Sequence, residues 1–436
     1  MIELWIGLAM FVALLVALLI GIPVAFSLMA VGLGSIAFLG GGLDALGLVA
    51  PTLWSSVANF TLTAVPLFIL MGAIISASGM GARLYQALAT LMHGVPGGLT
   101  VATTLACTIM AAVSGSSVAT AGAIGRFSVL EMRRYGYKDE TACGAVAAGG
   151  TLGILIPPSI PLIVYGIIAQ ESIGALFIAG IIPGIIMALS FIAYQVWIAT
   201  RELKHRDVLV TDKVTMRQRL AALKHIVPVG LLIWVILGTI YQGIATPTEA
   251  AALGVLASLL LSAAIYRELS WEKIIVILRD TAKGSVMVLM IIAGAMLFGY
   301  AMTTSNVAPT ISRVVAELDV PPWAAFITIN MLLIFLGCFM ETLSIIVITA
   351  PILIPIILAL GWDPVWFGII MVINMEMALI TPPVGLNLFV VQGVVEDVPL
   401  SRIIAGTMPY VFIMALVLVL VGIFPDLATY LPYHVK

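Results

Sequence analysis

The chain has 436 residues, 62% of them hydrophobic and only 9% charged, with a net charge of −2. A water-soluble globular protein of this length carries far more charge and is excluded. Apolar runs of about 20 residues recur along the whole length, each long enough to cross a bilayer, so the chain reads as an all-α polytopic membrane protein rather than a barrel of short alternating strands.

The first apolar segment, "LWIGLAMFVALLVALLIGIP", has no basic region before it and no small-residue cleavage site after it, and is expected to remain as a helix. Ten crossings follow from the pattern, at 2–20, 23–40, 61–79, 140–169, 173–200, 224–244, 249–266, 285–304, 365–394 and 403–424. Two further apolar stretches, 97–132 and 322–360, are interrupted by "SGSS" at 114–117 and "MET" at 340–342. Their halves are marginal for crossing, so each is read as a re-entrant helical hairpin; two short helices joined by a tight turn are the plainer alternative. Cys107, Cys143 and Cys338 have no metal spacing and read as small packing residues.

Orientation follows from charge. The loop 201–224 holds Arg201, Lys204, Arg206, Lys213, Arg217, Arg219 and Lys224. The segment 131–140 adds Arg133, Arg134 and Lys138, and 267–283 adds Arg267, Lys273, Arg279 and Lys283. The positive-inside rule makes these regions cytoplasmic. The connectors 41–60, 243–248, 305–321 and 361–364 carry Arg313 alone and fall outside, with both termini.

A shift of 225 residues brings landmarks into register. Pro96 meets Pro321, Gly136 meets Gly361, and Pro157-Pro158 meets Pro382-Pro383, while "SGSS" falls on "FMET". An odd number of crossings separates the copies, which makes this an inverted-topology repeat. Such repeats with interrupted helices at matching places are the sequence signature of secondary transporters and point to the binding site.

A proline pair inside a helix removes backbone donors and clashes with the preceding turn. "GILIPPSI" at 153–160 and "ALITPPVG" at 378–385 therefore predict two broken helices. Their freed backbone groups are tolerable in a membrane only where they line a cavity or bind something. The hairpin tip of the same repeat is the expected partner. Half-helix C-termini suit cations and N-termini suit carboxylates. The hydroxyls of Ser114, Ser116, Ser117, Thr342 and Thr381 can complete either shell. Glu341 on the second tip and Glu376 ahead of Thr381 are intramembrane carboxylates and candidate functional groups. Arg126 reads as a surface arginine or a substrate partner. Glycine runs follow no strand and no Walker sequence occurs, so the chain is not expected to hydrolyse ATP. The histidines lie outside the broken elements and no aspartate lies in a span, which argues against an intramembrane enzyme.

"SGSSVATAGAIG", "GGTLGILIPPSIPLIVYG", "GCFMETLSIIVITAPILIPI" and "ALITPPVGLNLFVVQG" resemble the large membrane subunit of tripartite ATP-independent periplasmic (TRAP) transporters, in order and over essentially the full chain. The resemblance implies an elevator-type fold similar to divalent anion/sodium symporters. It implies Na⁺-coupled uptake of an organic acid such as a C4-dicarboxylate or sialic acid across the bacterial inner membrane. A small four-helix membrane subunit and a periplasmic substrate-binding protein would be separate chains. Two or more Na⁺ ions are implied. One site would use Ser114 and Ser117 with carbonyls near Gly153, Ile156 and Pro158. The other would use Gly337, Ala378, Thr381 and Val384, with Ala378 where family members often carry glycine. Substrate would lie near Gly115, Ser116, Glu341, Thr342 and Asn387. The expected division is scaffold 1–60, transport elements 61–200, a surface linker 201–223, scaffold 224–284 and transport elements 285–436. Arms at 80–95, 201–222 and 268–283 would lie along the membrane surface. A sodium/anion symporter that needs no binding protein is the alternative.

Overall fold

A computed structural model describes residues 2–39, 47, 49–202, 214–266, 269–317 and 321–434. Among these residues the regular structure is entirely helical. Eight helical runs are long and apolar enough to cross a membrane: Ile2–Leu19, Phe60–Ala77, Ile173–Arg201, Met216–Tyr241, Pro247–Ile265, Trp271–Thr304, Thr342–Ala359 and Leu400–Ile423. Thr342–Ala359 belongs to a segment expected to be re-entrant, so length alone does not separate hairpin arms from crossings.

The helices repeat in order. In the first copy α1 (Ile2–Leu19), α2 (Val24–Leu39), α3 (Val49–Val57), α4 (Ala64–Ala77) and α5 (Met80–Leu91) lead to a helical pair, α6 (Gly98–Ser114) and α7 (Ser117–Arg134). Then come α8 (Asp139–Thr151), α9 (Ile160–Ala169), α10 (Ile173–Ala179) and α11 (Ile181–Glu202). The second copy has α12 (Met216–Tyr241), α13 (Pro247–Leu261), α14 (Trp271–Thr304) and α15 (Val307–Glu317). The pair α16 (Pro322–Gly337) and α17 (Thr342–Ala359) follows, then α18 (Pro364–Leu379), α19 (Leu386–Val394), α20 (Leu400–Ile423) and a short α21 (Asp426–His434). Helix starts obey local chemistry. Thr215 with Gln218, and Thr246 with Glu249, form reciprocal caps on α12 and α13. Ser159 and Asp363 cap α9 and α18, each with proline in the first turn.

Several expectations need correction. α14, Trp271–Thr304, runs without interruption from the arm expected at 268–283 into the crossing at 285–304, so the expected boundary at 284/285 falls inside it. Gly284 is the only glycine at that junction, and one glycine costs a helix interior about 1 kcal/mol, too little to break it against the packing of α14 on α2, α3 and α4. Residues Lys204, Arg206, Lys213 and Arg267 lie outside the described residues. From Met216 onward the expected linker is already α12, which carries Arg217, Arg219 and Lys224 on its opening turns. The connectors 41–60 and 305–321 contain helices α3 and α15. α15, not 268–283, is the counterpart of α5: both follow a long apolar helix, and both pack on the second arm of their own helical pair. The crossing at 173–200 divides at Gly180 into α10 and α11.

The two copies interlock. α2 packs on α14 and α4 on α13, while α9 packs on α17 and α19 on α7. The closest approach is α8 against α20. A Cβ at Gly406 would overlap the Glu140 carbonyl, and one at Gly144 would overlap the Gly406 carbonyl. Charges clasp the same end. Arg133 reaches Asp139 at 2.7 Å and Asp397 at 2.9 Å, and Arg402 reaches Glu140 at 3.5 Å. The Arg133 guanidinium holds the Asp397 carboxyl below the usual carboxylate range. At the N-terminal end of α18 the Tyr433 hydroxyl donates to Asp363, tying α21 to the α18 cap. Gly406→Val should lower stability in detergent by about 1–3 kcal/mol, read from thermal unfolding. Gly393→Ala, whose Cβ would meet nothing within 4 Å, should leave it unchanged. A Gly406→Val chain as stable as the native one would refute the backbone contact.

Candidate functional site

Each proline pair separates two helices, and each separation is closed by the tip of the helical pair before it. In the first copy α8 stops at Thr151 and α9 starts at Ile160; in the second α18 stops at Leu379 and α19 starts at Leu386. Pro157-Pro158 and Pro382-Pro383 are both cis.

At the first tip α6 ends on Ser114, Gly115 takes a left-handed conformation (φ 61°), and Ser116 is extended and caps α7. Only glycine adopts the left-handed region at little cost. The Ser114 hydroxyl lies 2.7 Å from the Thr120 hydroxyl, which donates to the Ser116 carbonyl at 2.8 Å. A Cβ on Gly115 would sit 2.8 Å from the Pro158 carbonyl, and one on Gly153 2.8 Å from the Ser116 carbonyl. Tip and proline loop thus meet backbone to backbone. Ser114, Ser117, Gly153 and Pro158 lie together at this junction of tip and loop. Ile156 belongs to the same loop, but its side chain packs on Gly184 of α11, so only its backbone faces the site.

The second tip is built alike with different atoms. A Cβ on Gly337 would overlap Ala378 Cβ. The Val384 amide donates to the Cys338 carbonyl at 3.2 Å, and the Thr381 hydroxyl donates to the Met377 carbonyl at 2.6 Å. Gly385 is left-handed (φ 54°), with the Thr381 carbonyl beside it. Gly337, Ala378, Thr381 and Val384 are therefore neighbours.

Gly115 and Ser116 group with the first loop. Glu341 and Thr342 sit on the second tip, where Glu341 precedes α17 without capping it and leaves one buried carboxylate oxygen unpaired. Glu341 borders a groove of about 1030 Å³ together with Phe26, Lys283, Met287, Met290 and Met340. Asn387 has no exposed surface. It donates to the Ser117 hydroxyl at 2.6 Å and to the Ala147 carbonyl at 3.2 Å, so it joins the first tip instead of facing a cavity. Glu376 is fully buried, neither oxygen has a hydrogen-bond partner, and the Leu155 backbone of the first proline loop lies beside it. Arg126 is exposed on α7.

Thr120 and Cys338 were missed in the sequence. Thr120 could have been found, because it lies one helical turn from Ser116 and Ser117 and so faces the same tip. Cys338 contributes a main-chain carbonyl, which no side-chain pattern announces. Among the described residues no group of three or more His, Cys, Asp or Glu side chains could hold a metal. Hydroxyl and carbonyl oxygens gather at both tips, with the Glu341 carboxylate on the second, and such hard donors suit an alkali or alkaline-earth cation better than a soft transition metal.

Gly115→Ala should cost about 1–2 kcal/mol from the left-handed backbone alone, with further loss from the Pro158 contact. Thermal unfolding measures it, and an unchanged midpoint would mean that the tip does not seat on the loop.

The family model of the tripartite ATP-independent periplasmic transporter, DctM component, matches residues 11–427. The chain is 39% identical over 389 residues to the C4-dicarboxylate TRAP transporter large permease protein DctM of Pseudomonas aeruginosa, covering 89% of this chain and 90% of that one. It is 32% identical over 412 residues to the sialic acid TRAP transporter large permease protein SiaM of Vibrio cholerae, covering 94% and 95%. Among solved structures the YdaH transporter of Alcanivorax borkumensis superposes with a TM-score of 0.64 at 15% identity, over 92% of this chain and 97% of that one, which speaks to the fold alone.

Proposed function

The chain belongs to the DctM component family of tripartite ATP-independent periplasmic transporters, and from that premise we propose that it carries an organic acid inward with Na⁺ by an elevator motion. It is a multi-pass transporter permease and not an enzyme. The named relatives suggest a C4-dicarboxylate or a sialic-acid-like carboxylate as substrate.

The observation that carries the sodium reading is the paired construction of tips and proline loops. Each brings hydroxyl and carbonyl oxygens together where helix ends present negative dipoles. Ser114 and Ser117 with the carbonyls of Gly153, Ile156 and Pro158 would hold one Na⁺. The carbonyls of Gly337, Ala378 and Val384 with the Thr381 hydroxyl would hold a second. Substrate would lie between the tips, near Gly115, Ser116, Glu341 and Thr342. The groove beside Glu341 supports a path along the second tip.

The membrane arrangement we propose has ten crossings, an inverted repeat, re-entrant pairs α6–α7 and α16–α17, and broken helices α8–α9 and α18–α19. These pairs and broken helices form the moving block. α1, α2, α12, α13 and the first half of α14 form the scaffold, with α5 and α15 as arms. A small membrane subunit and a periplasmic binding protein complete the carrier in the bacterial inner membrane, with both termini periplasmic. A membrane-impermeant maleimide added outside should label Thr429→Cys and spare Lys273→Cys, and the reverse pattern would invert the topology.

Proteoliposomes holding the assembled carrier should take up labelled acid only with an inward Na⁺ gradient. Equal uptake from K⁺ buffer would refute coupling, and uptake by this chain alone would point to a symporter without a binding protein. Ser117→Ala and Thr381→Ala should each raise the Na⁺ concentration for half-maximal uptake by roughly tenfold, equivalent to about 1.4 kcal/mol of lost ligation.

A further inference from the structure

The two proposed cation sites belong to different halves of the chain, yet one side chain bridges them. Asn387 is the second residue of α19, six positions after Thr381 in the same loop-helix segment. Its amide donates to the Ser117 hydroxyl at 2.6 Å and to the Ala147 carbonyl of α8 at 3.2 Å. Ser117 opens α7 at the first tip, and α8 leads into the first proline loop. One amide group of the second half thus holds both walls of the first site. The bond is fully buried, where a hydrogen bond is strong and an unmet partner is costly.

The link is one-sided. Under the 225-residue shift the position of Asn387 is occupied by Leu162, an apolar residue with no side-chain donor. α9 packs on α17 as α19 packs on α7, but α9 reaches the second half by a different bond, from the Tyr165 hydroxyl to the Pro364 carbonyl at 2.7 Å, away from both tips. Its amide oxygen has no hydrogen-bond partner. The side chain's orientation is therefore set by its two donor bonds, which tie Ser117 to the start of α19.

We propose that Asn387 is a positioning residue that makes the two cation sites interdependent. When a cation draws the Ser117 hydroxyl into its shell, Asn387 carries that displacement into the segment that bears Thr381 and Val384. When the second site fills and orders its loop, Asn387 holds Ser117 in the conformation that the first site uses. Coupling of this kind appears as cooperativity with no direct contact between the ions.

The inference rests on the sodium reading, and the test separates the two. The purified full-length chain is titrated with NaCl at constant ionic strength, balanced by choline chloride, and its thermal unfolding midpoint is followed, the slope of the stabilisation against ln[Na⁺] giving the number of ions bound. The native chain should respond with a Hill coefficient above 1. Asn387→Leu should keep the number of ions bound at saturating Na⁺ while the Hill coefficient falls to about 1. Asn387→Ser, too short to reach Ser117, serves as a second variant if the leucine disturbs folding. A native response with a Hill coefficient of 1, or an unchanged coefficient in the variants, overturns the coupling role alone. A native chain whose midpoint ignores Na⁺ overturns the sodium reading and this inference with it.

Discussion

A peptide group inside hydrocarbon must be hydrogen-bonded, or it costs several kcal/mol. Two proline pairs in apolar helices violate that demand twice, and much of the architecture answers it. α8 and α18 end early, α9 and α19 begin late, and the unwound stretches between them are met by turns from neighbouring helical pairs. The answer is made of backbone. Gly115 approaches the Pro158 carbonyl, Gly153 approaches the Ser116 carbonyl, and the Val384 amide bonds to the Cys338 carbonyl. Side chains would keep these segments apart, so glycines occupy the closest approaches.

The same geometry supplies the chemistry. Carbonyls and hydroxyls gather at the helix ends, a cluster of hard oxygen donors built largely from main chain. The two clusters are not copies. The first depends on the Ser114, Thr120 and Ser116 network and on Asn387, whereas the second has the Thr381 hydroxyl within its own loop. Glu341 and Glu376 are the costly residues in this setting. Each keeps at least one buried carboxylate oxygen unpaired, which marks both as positions where apolar packing was not the only demand.

Rigidity comes from the interlocking of the halves. α8 rests on α20 through Gly144 and Gly406, so closely that no Cβ fits, and Arg133 and Arg402 fasten the same end by ion pairs. α19 on α7 and α9 on α17 repeat the exchange near the tips. A body assembled from crossed halves holds both proline loops in one frame, a requirement for any mechanism that moves them together.

Much of this was legible in the chain itself. Proline chemistry is local, so both breaks, both tips and the 225-residue register could be read from residue types and spacing. Apolar length located most long helices for the same reason. Continuity and partnership could not be read. Whether 271–304 is one helix or two depends on packing against α2 and α4, because a lone glycine leaves the backbone free to do either. The short helices α3, α15 and α21 are amphipathic or mixed, and their stability comes from neighbours far away in sequence. Asn387 reads as a free polar residue beside a proline loop, and its donor bonds to Ser117 and Ala147 exist only because α19 crosses to the other half. The sequence by itself determined where the membrane helices must break, since that follows from bonds a proline cannot make. Which atoms meet the broken ends was left to tertiary packing, since those contacts join tip to loop across tens of positions within each half and, from Asn387 to Ser117, across 270 positions between the halves.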